Sequence, residues 1–288
     1  MRKFYIENQI GERKSLNGDI FLQNPAGLGV SLDPQFASVG RGFFVNVTDD
    51  EEPQGTVLGD LVFRKTAYKS YQEFINWILA AEKLFIIYCP EGNTEYWREI
   101  DLTYITKTEL GVGRWLTTPI SFSCLTPWYL PRPLILRMEK ASEVAMRYSF
   151  RFTETLRYPT GGIGSFTAEV QPSGHNPAAV RFEFTGVVET PKLEITDAES
   201  GEVYGSCKID TSTESGEILI ISTEYLHSKV EKITAQGAED LLEHVDISSY
   251  PYFKIPHGKL CHLKFSSVAE APITGTAKAK IYDYYKTV

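Results

Sequence analysis

From residue 165 to the C-terminus the chain divides into short runs that alternate apolar and polar residues with period two. These are "FTAEVQ", "AVRFEFTGVV", "KLEITDA", "VYGSCKID", "EILIIS", "KVEKITA", "KLCHLKFSS" and "TAKAKIYDYYKTV". Turn-forming clusters such as "PSGHNP", "AESGE" and "TESGE" stand between them. Period-two alternation buries one face of a strand, and closely spaced turns return each strand beside the last, so this half predicts an antiparallel β-sandwich. One short helical piece is expected in it, at "AEDLLEHV".

The first half is also mostly β, with one change of period. "SYQEFINWILAAEK" places Tyr71, Phe74, Ile75, Ile78 and Leu79 on one helical stripe, and Ser70 with Glu73 has the spacing of a capping box. Such a stripe must pack on a sheet, and strand-like runs flank it: "GTVLGDLVF", "LFIIYCP", "YWREIDLTYITKTEL" and "WLTTPISFSCL". "LTPWYLPRP" then concentrates prolines, which remove backbone donors and favour extended chain, so it punctuates the sequence. The expected domains are 1–138 and 139–288, with 139–165 left as a connecting region.

A chain of 288 residues with 42% hydrophobic and 12% aromatic content can bury substantial cores. Lys and Arg total 29 against 37 Asp and Glu, a formal charge of −8, and no basic cluster follows a phosphate backbone. This argues against sequence-specific nucleic-acid binding. No run approaches the about 20 apolar residues of a membrane-spanning helix, and "MRKFYIENQIGERKS" has no apolar core of a leader, so the reading is a soluble, non-secreted chain. Cys89, Cys124, Cys207 and Cys261 form no C-x-x-C pair and read as buried thiols.

A search for reactive constellations turns up little. The glycines of "PTGGIGSF" and "NPAGLG" lack the G-K-[ST] ending of a phosphate loop and read as loops. His257, Cys261 and His262 lie close in sequence, but neighbouring strand residues point to opposite faces, so Cys261 and His262 do not share an ion. His227 and His244 stand alone, and no G-x-S-x-G is present. Adjacent acids at Glu51 and Glu52, and at Glu239 and Asp240, are too close to flank a glycosidic bond. No catalytic, cofactor-binding or metal-binding residue is assigned. "YPYFKIPHGK", with Tyr250, Tyr252 and His257, poses a choice between a sugar-stacking site and a structural turn. For the tyrosines of "IYDYYKTV", a core face against an exposed face is preferred to sugar stacking.

The order "GDLVF", "YKSYQEFINWI", "LFIIYCP", "YWREIDLTYITKTEL", "ISFSCLTPWY", followed later by "YPYFKIPHGKLCHLKF" and "GTAKAKIYDYYKTV", resembles the distal tail proteins of long-tailed, non-contractile phages and prophages. The resemblance implies an N-terminal domain that assembles into a hexameric ring continuing the tail tube, and a C-terminal galectin-like β-sandwich. It implies a non-enzymatic virion protein of the phage tail tip, made in the bacterial host cytoplasm. Its partners would be the tail tube protein, a tail-tip protein and a receptor-binding protein. On this resemblance the aromatic-x-x-Ile-Pro-x-Gly pattern at 252–258 is a turn into the penultimate strand. All four Trp (Trp77, Trp97, Trp115, Trp128) lie in the first half, which argues against sugar stacking by the second.

The Gly- and Pro-rich stretch "NPAGLGVSLDPQFASVGRGFFVNVTDDEEPQGTVLG" can reach a neighbouring subunit. Its Phe36, Phe43 and Phe44 are the candidate interface anchors, with ordinary strand core as the competing reading for Phe43 and Phe44. Glu51 and Glu52 are the candidate lumen charges, where like-charge repulsion would keep passing DNA from adhering. The alternative from another class is a monomeric β-sandwich protein that binds cell-wall glycans; an enzyme acting on wall polymers comes third.

Overall fold

The computed structural model describes residues 2–29, 35–39, 42–47, 55–111, 113–140, 164–249, 252–269 and 271–288. The chain forms two compact units: Met1–Leu130 with Tyr284–Val288, and Pro131–Asp283. The first contains β1 (Lys3–Asn8), β2 (Arg13–Ser15), β3 (Ile20–Ala26), β4 (Gln35–Val39), β5 (Gly42–Val47), β6 (Thr56–Phe63), helix α1 (Ala67–Leu79), β7 (Leu84–Cys89), β8 (Tyr96–Ile105), β9 (Leu116–Cys124) and the start of β10 (Trp128–Leu134). Its main sheet runs β2-β1-β7-β8-β9-β6-β3, antiparallel at every pairing.

One face of this sheet is apolar because alternate residues of its strands are: Phe4 and Ile6, Leu61 and Phe63, Leu84 and Ile86, Leu116, Ile120 and Phe122 are all buried. Helix α1 covers that face through Tyr71, Phe74 and Ile78, with the Phe63 ring 5.7 Å from Tyr71 and 5.9 Å from Phe74. Burying each of these side chains stabilises the unit by about 1.5–3 kcal/mol.

The helix starts four residues earlier than a cap at Ser70 would set it, and the capping box does not form. Thr66 precedes the helix at φ 42° and ψ 49° without a side-chain cap. Ser70 is already inside the first turns, where its hydroxyl donates 2.8 Å to the Lys65 carbonyl. A serine drawn back to the preceding loop cannot cap the backbone ahead of it. Leu79 is 69% exposed, since the stripe has rotated past the sheet at the last helical residue.

The second unit contains the rest of β10, then β11 (Arg137–Lys140), β12 (Gly164–Val170), β13 (Asn176–Glu189), β14 (Pro191–Asp197), β15 (Val203–Lys208), β16 (Ser212–Thr213), β17 (Ile218–Ser222), β18 (Lys229–Thr234), β19 (Gly237–Asp240), β20 (Cys261–Ser267) and most of β21 (Thr274–Tyr285). One sheet is ordered β11-β12-β20-β14-β15 and the other β19-β18-β17-β13-β21. Their inner faces meet in an aromatic contact, Phe265 of β20 lying 4.6 Å from Phe182 and 5.0 Å from Phe184 of β13. This is a β-sandwich.

The expected helix at "AEDLLEHV" is not one. Gly237–Asp240 pairs with β18, and only Leu242–His244 makes a 3-10 turn. Leu241 alone of the two leucines is buried, so the segment lacks the repeating apolar face that would hold a helix.

The stretch at 250–259 is structural where it is described; Tyr250 lies outside the described residues. Phe253 and Ile255 are buried, Ile255 exchanges backbone hydrogen bonds with Ala178, and Tyr252 and His257 are exposed. Phe253 occupies the space above Gly205, where an added Cβ would come within 2.2 Å of the phenylalanine Cβ. The Lys254 amine donates to the Thr223 carbonyl and lies 4.4 Å from the Tyr225 ring. All four cysteines are buried free thiols, and burial raises the pKa of the Cys207 thiol to about 12.

Candidate assembly interface

β3 and β6 are antiparallel neighbours, with Ala26 opposite Leu58. The chain between them therefore leaves the sheet and returns to the same place. Two glycines stand at that neck. Gly27 has φ +82°, and a Cβ there would lie 1.8 Å from the Thr56 carbonyl oxygen. A Cβ on Gly55 would meet the Arg98 guanidinium at 2.7 Å. A side chain on Gly27 would collide with backbone, and one on Gly55 would displace the Arg98 guanidinium.

Arg98 anchors the returning leg. It is 8% exposed, its Nε donates 2.7 Å to the Thr126 carbonyl, and its guanidinium carbon lies 5.6 Å from the Trp128 ring. The Thr126 hydroxyl accepts from the Glu99 backbone N–H at 3.0 Å, and the Cys124 N–H donates 2.9 Å to the Gly55 carbonyl. An arginine taken this far out of water persists only when its donors are matched, so the neck is held by specific bonds.

Beyond the neck, β4 and β5 pair with each other and, among the described residues, with no other strand. Phe36 is opposite Val45, Ala37 opposite Phe44 and Ser38 opposite Phe43, with a register shift between Gln35 and Phe36. Paired residues share a face and successive ones alternate. Positions 36 and 43 thus fall on one face of the hairpin and position 44 on the other, so the predicted anchors divide between two faces. Glu51 and Glu52 lie outside the described residues.

The edges of the main sheet are poor templates for a further strand. β2 is three residues long, and its Arg13 is held by Glu7 at 2.8 Å and Glu95 at 2.7 Å, which push its pKa up, with Tyr5 and Trp97 rings 5.2 and 5.4 Å away. β3 is broken by Asn24 at φ 48°, by Pro25 and by a register shift. Short, charged, bulged or proline-bearing edges resist strand addition. The sheet also exposes Leu58 and Tyr104 on either side of buried Ser121, to which both are paired.

The sequence pointed to the segment but not to its neck. Gly27, Gly55, Arg98 and Thr126 acquire their role only from the approach of distant strands. Their sequence signals were a glycine at each end of a long insertion and an arginine beside Trp97 in a strand of mixed polarity.

The first unit is thus an antiparallel, mainly β fold in which a separate hairpin follows a narrow neck at Gly27 and Gly55. Residues 3–125 match the family described as "Distal tail protein, N-terminal domain". That match lies within the first unit and ends before the second begins. Among solved structures, a chain of the phage P2 baseplate in its activated conformation with calcium is similar over 100% of both chains, with TM-score 0.68 and 16% identity. The SPP1 Dit protein, described as a paradigm of the hub adsorption apparatus in phages infecting Gram-positive bacteria, is similar over 97% of both, with TM-score 0.56 and 12% identity. At such identities the likeness establishes the fold. No curated protein sequence matches the chain. Among the described residues no helix is long and apolar enough to cross a membrane.

Proposed function

We propose that this protein is the non-enzymatic hub of a phage or prophage tail tip: a homo-hexameric ring that joins the tail tube protein to the tail-tip and receptor-binding proteins. The observation that carries this reading is the self-paired β4–β5 hairpin on its glycine neck, in the unit that matches the distal tail family. A hairpin that pairs with no other strand among the described residues can act as an assembly element, because a neighbouring copy can complete its backbone hydrogen bonds. A head-to-tail contact of this kind closes into a ring when the rotation between copies divides a full turn.

In this reading residues 1–138 form the ring, the Phe36 and Phe43 face of the hairpin meets the next copy, and Phe44 faces the other way. Glu51 and Glu52, in the same insertion, face the lumen and repel passing DNA. Residues 139–288 form the galectin-like domain outside the ring. The expected place of the protein is the virion tail tip, after synthesis in the host cytoplasm.

Light scattering on the size-exclusion peak, with negative-stain images of the same fraction, tests the ring. Hexamers or paired hexamers with a central hole are expected, and Phe36→Ser with Phe43→Ser should yield monomers of unchanged fold. Rings that persist in that double variant overturn the assignment of the hairpin face. Charge reversal at Glu51 and Glu52 should slow DNA ejection from assembled tails, and an unchanged rate removes the lumen assignment.

A further inference from the structure

We propose that the surface around Trp115 in the first unit binds an acidic peptide segment of a partner protein, which sets carboxylates on its cations and an apolar side chain between them. Three stretches of chain meet there. Phe21 comes from β3, Arg64 and Tyr68 lie where β6 passes into α1, and residues 106–115 connect β8 to β9. The Arg64 guanidinium carbon lies 4.1 Å from the centre of the Phe21 ring and 5.3 Å from that of Trp115. The Lys107 amine lies 5.7 Å from the centre of the Tyr68 ring.

Charge is unbalanced on this surface. Elsewhere in the unit Arg13 engages Glu7 and Glu95, and Lys14 engages Glu12. At the margin Lys65 lies 3.1 Å from Asp19 and Lys69 3.8 Å from Glu73. Arg64, Lys107 and Arg114 are exposed and form no ion pair among the described residues. Glu109, the acid of the β8–β9 connection, instead accepts from the Tyr68 hydroxyl at 2.5 Å. Positive charge is therefore in excess here, within a chain of formal charge −8.

The cations are also prepared for a carboxylate. Stacking holds the Arg64 guanidinium against aromatic rings while its N–H edge stays open to a bidentate acceptor. A cation already held in this way loses little freedom when a ligand arrives. The turn before β9 is closed by the Gly111 N–H donating 2.9 Å to the Trp115 carbonyl and the Arg114 N–H donating 2.9 Å to the Gly111 carbonyl. Trp115 and Leu110, 48% and 41% exposed, add apolar area beside the cations. A bare phosphate backbone would leave that area unused, and the acidic chain as a whole repels a long polyanion. A peptide that combines carboxylates with a leucine or an aromatic side chain uses both, and Trp, Tyr and Arg are the residues that dominate the energy of protein–protein contacts.

This inference goes beyond the ring and does not rest on it. Isothermal titration of the full chain with the end-blocked peptide Glu-Glu-Leu-Glu-Glu-Leu, its Gln-for-Glu counterpart and an oligothymidylate tests it. The acidic peptide should saturate below about 1 mM, the Gln counterpart should bind about tenfold or more weakly, and salt at about 0.5 M should weaken the acidic peptide. Lys107→Ala with Arg114→Ala should weaken that peptide about tenfold or more at an unchanged thermal midpoint, whereas Lys3→Ala, at an exposed cation of β1, should bind as wild type. Absence of saturation below about 1 mM, equal binding of the Gln counterpart, binding that survives the double variant, or tighter binding of the oligothymidylate overturns it. Light scattering on the same sample reports the ring separately, so either reading can fail alone.

Discussion

Both units place glycine where two stretches of chain touch, yet with opposite results. In the second unit Gly205 leaves a space that Phe253 fills, so a loop is drawn in and the core is closed. In the first unit Gly27 and Gly55 leave a gap through which a segment departs and returns. The same missing Cβ seals one domain and lets a segment leave the other. What differs is the partner: an aromatic ring in one case, and backbone with an arginine in the other.

The comparison can be broken most forcefully at Gly205. Gly205→Val should expel Phe253 and unfold the sandwich by about 3–5 kcal/mol in a denaturant titration, because both a clash and a cavity result. A stable variant would mean that Phe253 is not part of the core. Gly27→Val should destabilise by about 3 kcal/mol, since it combines a positive φ with the approach to Thr56, and should abolish ring formation as well.

Arg98→Leu removes the donor to Thr126 and the contact at Gly55. Its expected loss is about 2 kcal/mol, with ring assembly impaired, as read by calorimetry and light scattering. On the hairpin itself, Phe36→Ser with Phe43→Ser should move monomer unfolding by under about 0.5 kcal/mol while eliminating assembly. A large stability loss there would show that the hairpin closes a core as Phe253 does.

A pH-dependent effect concerns Lys254, beside the Phe253 plug. Burial lowers its pKa from 10.5 to about 8, with Glu224 acting weakly in the opposite sense. Between pH 8 and 10.5 the unfolded chain binds the proton that the folded chain has released, so this group's contribution to stability rises with pH across that window. The stability of wild type relative to Lys254→Met should therefore increase from pH 8 to 10.5, measured by urea titration at each pH. A flat difference would place the amine in water.

Much of the fold was legible before any coordinates. Period-two alternation found the strands of the sandwich, because a strand buried on one face must alternate, and the helical stripe found α1 through Tyr71, Phe74 and Ile78. Misses came where local chemistry had two uses. Ser70 has the spacing of a cap but bonds backward to Lys65, and "AEDLLEHV" has helix-forming residues, yet its start pairs with β18 and only Leu242–His244 make a 3-10 turn. Phe36, Phe43 and Phe44 were identified as a group, yet their division between two faces depends on a register that composition does not specify.

By itself, then, the sequence determined a mainly β chain with one amphipathic helix, buried thiols and a long insertion after "NPAG", since each follows from residues close together and from the period of burial. Tertiary structure alone decided that Gly27 and Gly55 form one neck, that Arg98 closes it, that Tyr284–Val288 belong to the first unit, and that Arg64 meets both Phe21 and Trp115. These relations join residues tens to more than a hundred positions apart. They arise from strand order and register, which the pairing of whole sheets settles and no local pattern encodes.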